Sequence, residues 1–338
     1  MARGSGSRVP RSRWIAPVLA FGILVTAAHV WLNTNVLASK DVCGGLVSTA
    51  AAEAVFPATG RISDRAGPDY RPGDALGFKC TVWSSSVLPG SADEHLLIWG
   101  SRERGDFAFT GGRWRSPATV SFFSGGVTGA VGDGQGWILL PASCTRSLPA
   151  IIEGHAPERS DPVALARLLT DVANRAAVRA GCAGDRPMAA PRTLSATPTQ
   201  RAVADGTLCG VSGLVFPGAD GGNGKARETA QEHTGPTWAC EVEGHATYAV
   251  TQEPQILAAI AASPGYAEQP RPAGRRVSGF DTRHVVTDCA GTPTYFSMEL
   301  GRSYTSALGT PGTPPPDELF RSFIDLVGKR YGCSAGTP

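Results

Sequence analysis

Residues 166–184 read ARLLTDVANRAAVRAGCAG, and residues 319–336 read LFRSFIDLVGKRYGCSAG. Each is an amphipathic run that ends in a basic turn, then Gly-Cys, then small residues. In the helix that carries the first, Leu165, just before the quoted run, and Leu168, Leu169 and Val172 fall at i, i+3, i+4 and i+7, one apolar face. In the second, Leu319, Phe320, Phe323 and Leu326 follow i, i+1, i+4 and i+7. Asp161-Pro162 and Pro316-Asp317 are start signals, and Gly181 and Gly332 are stops. Arg179, Lys329 and Arg330 suit the negative end of the helix dipole. A chain that closes twice in the same way reads as two copies of one domain.

The cysteines repeat the pattern. Cys43, Cys80, Cys144 and Cys182 fall in the first copy, and Cys209, Cys240, Cys289 and Cys333 in the second. Their contexts align. DVCGGLVSTAAAEAVFP matches TLCGVSGLVFP, a cysteine, a small apolar helix and Phe-Pro. GFKCTVWSSS matches TWACEVEGH, with the alternation of a half-buried strand. EHLLIWGSRE matches ATYAVTQEP, and GWILLPASCTRS matches RHVVTDCAGT, a strand ending at its cysteine. Each copy therefore reads helix, antiparallel strands, helix. The expected fold is α+β, two tandem domains over residues 41–184 and 207–335, each an antiparallel sheet with two helices on one face and two disulfides. Extra residues between Arg102 and Gly129 in the first copy include FAFTGGRWRS, read as a hairpin turning at Gly111-Gly112. The Pro/Ala/Thr-rich linker 185–206 is expected to be extended and mobile.

Further out, Ile15 to Leu32 is apolar, Trp14 and Trp31 bracket it, and Arg3, Arg8, Arg11 and Arg13 precede it. At 1.5 Å per residue the run spans about 27 Å, close to a bilayer core. It is read as a transmembrane signal anchor over residues 14–34. The positive-inside rule puts a stub, residues 1–13, in the cytoplasm and the rest of the chain outside. The competing reading is a cleaved signal peptide ending at Val36-Leu37-Ala38. The anchor is preferred because the apolar run exceeds a usual signal core. Cys43 follows Lys40-Asp41-Val42, which is no lipobox. His29, inside the run, has no ionisable partner there and reads as an interfacial residue, not a proton relay. The formal charge of +2 includes the four leading arginines; without them acidic residues outnumber basic ones. With no basic stripe, no nucleic-acid partner is expected.

An even cysteine number in an oxidising compartment reads as disulfides. Zinc would need close CxxC or HxxxH pairs, and no metal or other cofactor is expected. Four cysteines allow three pairings per domain. The stretch CGGLVSTAAAEAVFP…FKCTVW resembles the DUF3558-type lipoproteins of mycobacteria and their relatives. Those are secreted α+β domains, similar in turn to the extracellular sensor domain of a mycobacterial receptor kinase. The whole unit is also similar to uncharacterised secreted or membrane-anchored tandem-domain proteins of high-GC Gram-positive bacteria. The likeness covers each copy loosely, and the second copy lacks the Trp. It implies Cys43–Cys80 and Cys209–Cys240, leaving Cys144–Cys182 and Cys289–Cys333. The rival pairing joins first to last and second to third, as Cys43–Cys182 with Cys80–Cys144.

Motifs for chemistry fail on their details. FPGADGGNGKAR approaches a P-loop, but Ala219 replaces the first Gly and Ala226 the magnesium-binding hydroxyl. RGDF, Arg104 to Phe107, reads as a turn. Asp281 and His284, with Ser278 nearby, lack a nucleophile elbow, and on a regular strand residues three apart point to opposite faces. Glu241 and Glu243 share a strand face as a glycosidase pair would, but read as solvated carboxylates. The two copies share cysteines, glycines and apolar positions, not polar ones. No catalytic residue is assigned and no enzyme is expected. The expectation is a membrane-anchored extracytoplasmic module, non-enzymatic, that senses a small ligand or binds an envelope protein. The alternatives are an envelope-acting enzyme with its site in one domain and a structural accessory subunit of a membrane complex.

Overall fold

The computed structural model describes residues 15–36, 38–65, 67–87, 93–110, 116–204, 206–214, 226–232, 235–270 and 275–333. The stub 1–13, Trp14, the Gly111-Gly112 turn and most of the P-loop-like stretch lie outside them.

Helix α1 (Ile15–Asn33) has 19 residues. Leu19, Phe21, Ile23, Leu24 and Trp31 on it are exposed. Among the described residues no helix is long and apolar enough to cross a membrane. The end of α1 is fastened to the first unit. Asn33 Oδ1 accepts from Ser86 Oγ at 2.6 Å and from the Val87 amide at 3.0 Å. Asn35 donates to Gly60 O at 2.9 Å and accepts from the Ile62 amide at 2.7 Å. Arg61 donates to Trp31 O at 2.8 Å and lies over its ring.

The first unit opens with a small hairpin, β1 (Asp41–Val42) and β2 (Val47–Ser48), then α2 (Thr49–Glu53). Its sheet contains β3 (Arg61–Asp64), β4 (Asp69–Tyr70), β5 (Phe78–Ser85), β6 (Glu94–Arg102), β7 (Ser121–Phe123), β8 (Thr128–Gly132), β9 (Gln135–Leu139) and β10 (Ala150–His155). Helix α3 (Pro162–Arg179) closes it, and the Asp161 carboxylate caps the Val163 and Ala164 amides. The second unit holds β11 (Arg201–Ala202), β12 (Thr207–Leu208), β13 (Val211–Ser212), β14 (Arg227–Ala230), β15 (Thr237–Val242), β16 (Ala246–Thr251) and α4 (Pro254–Ala261). It continues with β17 (Ala267–Gln269), β18 (Val277–Asp281), β19 (His284–Cys289), β20 (Thr292–Leu300), α5 (Arg302–Ala307) and α6 (Pro316–Val327).

Both sheets are antiparallel and share one path. The first runs β3-β5-β6-β10-β9-β8-β7, with β4 also on β5; the second runs β11-β14-β15-β16-β20-β19-β18-β17. From β5 and β15 onward the orders correspond strand for strand. Helices α3 and α6 each cover one face of their own sheet. Leu165, Leu168, Leu169 and Val172 meet Ile138 and Ile152 in the first core. Leu319, Phe320, Phe323 and Ile324 meet Trp238, Tyr248 and Phe296 in the second.

The helices depart from expectation in the second unit. The helix read after Cys209 is instead the hairpin β12–β13, because Gly210 and Gly213 both take positive φ and break a helix. In the first unit α2 and α3 share one core; in the second the short α5, through Tyr304, shares the core of α6, while α4 lies on the other face of its sheet. The residues read as a hairpin strand, Phe107 to Thr110, form turns. The linker is extended but tied down. Asn174 and Met188 exchange hydrogen bonds of 2.9 and 2.8 Å, and Ser121 Oγ donates to Ser195 O at 2.7 Å.

The faces away from α3 and α6 are packed against each other. Trp137, Leu139 and Ile151 from the first sheet and Ala239, Ala249 and Tyr295 from the second share a third core. The strands alternate by twos, so Trp238 and Cys240 face α6 while Ala239 faces this seam. Phe107 and Phe109, from the extra residues of the first unit, and Ile256 and Ile260 of α4 fill the seam further. The result is four layers, helix, sheet, sheet, helix.

Disulfides join Cys43–Cys80, Cys144–Cys182, Cys209–Cys240 and Cys289–Cys333. The first-to-last pairing is not formed. In each unit the first bridge fixes the opening turn to a sheet strand, β5 or β15, and the second bridge ties the chain beyond the closing helix back to the end of β9 or β19. Four disulfides point to an oxidising, extracytoplasmic setting.

Candidate functional site

The polar groups that could carry chemistry gather along the seam. Asp281 and His284 face each other, because Thr282-Arg283 is a two-residue hairpin turn and Asp281 pairs with His284. The regular-strand reading, which put them on opposite faces, is thereby corrected. His284 Nδ1 lies 2.9 Å from both Asp281 oxygens, and Nε2 lies 2.9 Å from Glu299 Oε1. Burial opposes the imidazolium charge, but the bonds to Asp281 and Glu299 outweigh it and hold His284 up at about 9. The His284 bond in turn lowers Asp281 to about 2, against its own burial. Ser297 pairs with His284 across the ladder and is buried. A serine nucleophile needs a neutral imidazole with a free lone pair toward its hydroxyl. Here both ring nitrogens are taken by carboxylates, so the group is a charge clamp. Ser278 lies further along, opposite Val286.

Beside the clamp, Arg104 holds the wholly buried Asp106 with two bonds, 2.6 and 2.8 Å. Tyr295 donates to Asp106 Oδ2 at 3.4 Å, and burial pushes its phenol well up. The Gly105 amide donates to Ser263 Oγ at 2.8 Å. The RGD stretch is thus a seam contact. Glu241 and Glu243 border an open groove with Asp133, and Glu243 accepts from Gln200 at 3.0 Å.

At the edge of the seam is a cleft between β7 and β8 of the first unit, linker residues 195–198 and the start of α4. Its enclosed room is about 80 Å³. Phe122, Phe123 and Ile256 form apolar walls, and Gln231, Thr237 and Glu253 supply polar groups. The walls are cross-tied. Gln231 Nε2 donates to Pro117 O at 2.9 Å and Val120 O at 2.7 Å. Thr237 and Thr251 hydroxyls bond at 2.7 Å, and Thr251 Oγ1 accepts the Glu253 amide at 3.0 Å. Glu253 is 7% exposed. Its Oε1 accepts from Thr128 across the seam at 3.0 Å. Glu253 is the N-cap of α4, yet its side chain makes no bond to the helix amides.

The copies do share polar roles, contrary to the sequence reading. Asp64 accepts the Cys43 amide and Glu228 the Cys209 amide, each at 2.6 Å. Arg179 donates to Gly44 O at 2.6 Å, and Arg330 to Gly210 O at 3.0 Å. The basic last turns therefore grip the opening turn of their own unit. Both Cys43 and Cys209 take positive φ, 54° and 59°, a conformation these clasps hold in place. Each carboxylate also lies near two cysteine sulfurs, forming the sets Cys43, Asp64, Cys80 and Cys209, Glu228, Cys240. Metal binding by cysteine needs a thiolate, and these sulfurs are in disulfides, so the sets do not fit a metal.

Sequence reasoning missed Glu253, Gln231, Asp64 and Glu228. Gln252-Glu253-Pro254 carried a helix-start signal, since Pro favours the first helical position. No protein-family model, curated protein or solved structure matches the chain.

Proposed function

We propose that this chain is a non-enzymatic, extracytoplasmic binding module attached to the membrane through α1. The observation that carries the reading is the saturation of the two buried groups at the centre of the seam, His284 and Asp106. His284 has both nitrogens engaged, and Asp106 is held by Arg104 and Tyr295. A catalytic acid or base must reach substrate with a free donor or acceptor. These groups instead fasten two sheets together and leave a small, rigid cleft at the edge. Membrane attachment is supported by α1 itself, whose Phe21, Ile23, Leu24 and Val25 present bare apolar surface. The cross-ties from Asn33, Asn35 and Arg61 would then hold the body close to the bilayer.

The test is fractionation and capture of the full chain in its native envelope. The protein is expected to stay with membranes after alkaline extraction and to be cut by protease added outside. Cross-linking should retain a partner or ligand. Release into the soluble fraction would refute the attachment. Turnover of an envelope substrate, lost on His284→Gln with the fold intact, would refute the non-enzymatic reading.

A further inference from the structure

Glu253 presents an unusual state for a carboxylate. It is more than nine-tenths buried, and among the described residues only Thr128 donates to its side chain. Oε2 has no hydrogen-bond partner among them, and no cation of theirs pairs with the group. Buried charges are ordinarily paired, because desolvating one alone is costly. A position at a helix N-terminus favours a carboxylate. That explanation is incomplete here, since the side chain makes no bond to the α4 amides and lines the cleft.

The rest of the cleft has matching chemistry. No Lys, Arg or His is among its described lining residues, and Glu232 stands exposed among them as a second negative charge. Phe122, on the seam face of β7, adds ring surface, which attracts a cation. The enclosed room of about 80 Å³ suits a head group, not a whole drug-sized ligand. The fixed walls mean that little ordering would accompany binding.

We propose that the seam cleft binds a primary ammonium group, which Glu253 receives at Oε2 beside Phe122. The ammonium belongs either to a free alkylamine or to a lysine side chain of a peptide. This rests on the binding-module reading and names the chemistry that its cleft would take.

The experiment is calorimetric titration of the full chain in detergent at fixed ionic strength. The probes are n-butylammonium chloride, Nα-acetyl-lysine amide and n-butanol as the uncharged isostere. Saturable binding of at least one amine is expected, with butanol at least about tenfold weaker, the worth of one charge-assisted bond. Glu253→Gln should weaken the amine by about tenfold or more, and the exposed Glu232→Gln by only a few-fold. Preference for butylammonium would identify a free amine as the source, and preference for the lysine derivative a peptide; either supports the site. Equal binding of butanol and amine, an unchanged affinity in Glu253→Gln, or no saturation by either amine would overturn it. Discrimination between amine and alcohol is read on the wild-type protein, so it holds even if Glu253→Gln fails to fold. Failure of the amines with a partner still captured in the envelope would remove this site and leave the binding reading standing.

Discussion

Glu228 Oε2 accepts the amide hydrogen of Cys209 at 2.6 Å, and its other oxygen takes Arg201 Nε at 2.8 Å. Asp64 serves Cys43 in the same way in the first unit. The carboxylate comes from the strand beside the one carrying the bridge partner, so clasp and disulfide converge on one turn. Glu228 is almost fully buried, and truncating it leaves the buried Cys209 amide without its acceptor. Glu228→Ala should cost about 2 kcal/mol, in the range for a hydrogen bond to a charged group. Asp64→Ala should cost a similar or smaller amount, because Asp64 is less buried. Equilibrium denaturation of oxidised protein checks both; an unchanged midpoint would mean that the disulfides alone hold the turns.

At Gly105 the two units come into close backbone contact. A Cβ there would run into the backbone of Ala259 and Ile260 in α4. Gly105→Val should therefore pry open the seam, while Ser263→Ala, which removes the acceptor of the Gly105 amide and the hydroxyl's own bond to Ala259 O, should cost about 1–2 kcal/mol. The informative measurement is limited proteolysis in the linker. Gly105→Val should speed cleavage near residues 195–200, which Ser121 holds from the first unit through Ser195 O and Glu243 from the second through Gln200. Equal cleavage of mutant and wild type would show that the seam tolerates the change.

Phe109 tests the seam from its apolar side. It is buried and packs against Phe122 and Tyr295, with ring centroids 5.9 and 5.5 Å apart. Phe109→Ala should destabilise by about 3–5 kcal/mol, as for other buried aromatic deletions. If the seam were a loose contact, the loss in thermal unfolding would be near that of a surface substitution.

Legibility in the sequence tracks the strength of each signal. Helix α3 could be read from Leu165 to Val172, since a 3.6-residue period over 18 residues is hard to mimic. The duplication was visible because cysteines and closing glycines recur at matching places. The seam was not legible. Its residues in the second sheet include Ala239 and Ala249, which are apolar enough for a core and small enough for a surface. Phe107 and Phe109 sit in turns without period, so nothing marked them as core. The Asp281–His284 encounter was hidden because GFDTRHVVTD lacks a strong turn residue at Thr282-Arg283. The shared clasp was hidden because the copies use different acids at different offsets, 21 residues after Cys43 and 19 after Cys209.

The His284 clamp makes stability depend on pH in a defined window. His284 is raised in the folded state from 6.5 to about 9. It binds its proton more tightly when folded, so its contribution is full below about 6.5 and is lost as pH rises through about 9. Asp281 is lowered from 3.8 to about 2, so its contribution is full above 3.8 and is lost as pH falls toward 2. Melting temperature should therefore be highest between about pH 4 and 6.5 and decline on the alkaline side before any lysine or tyrosine titrates. His284→Gln keeps a hydrogen-bonding side chain but removes the titrating charge. It should lower the acidic plateau and flatten the decline between pH 6.5 and 9. An alkaline decline of the same slope in His284→Gln would assign the pH dependence to other groups and leave the clamp without a stabilising charge.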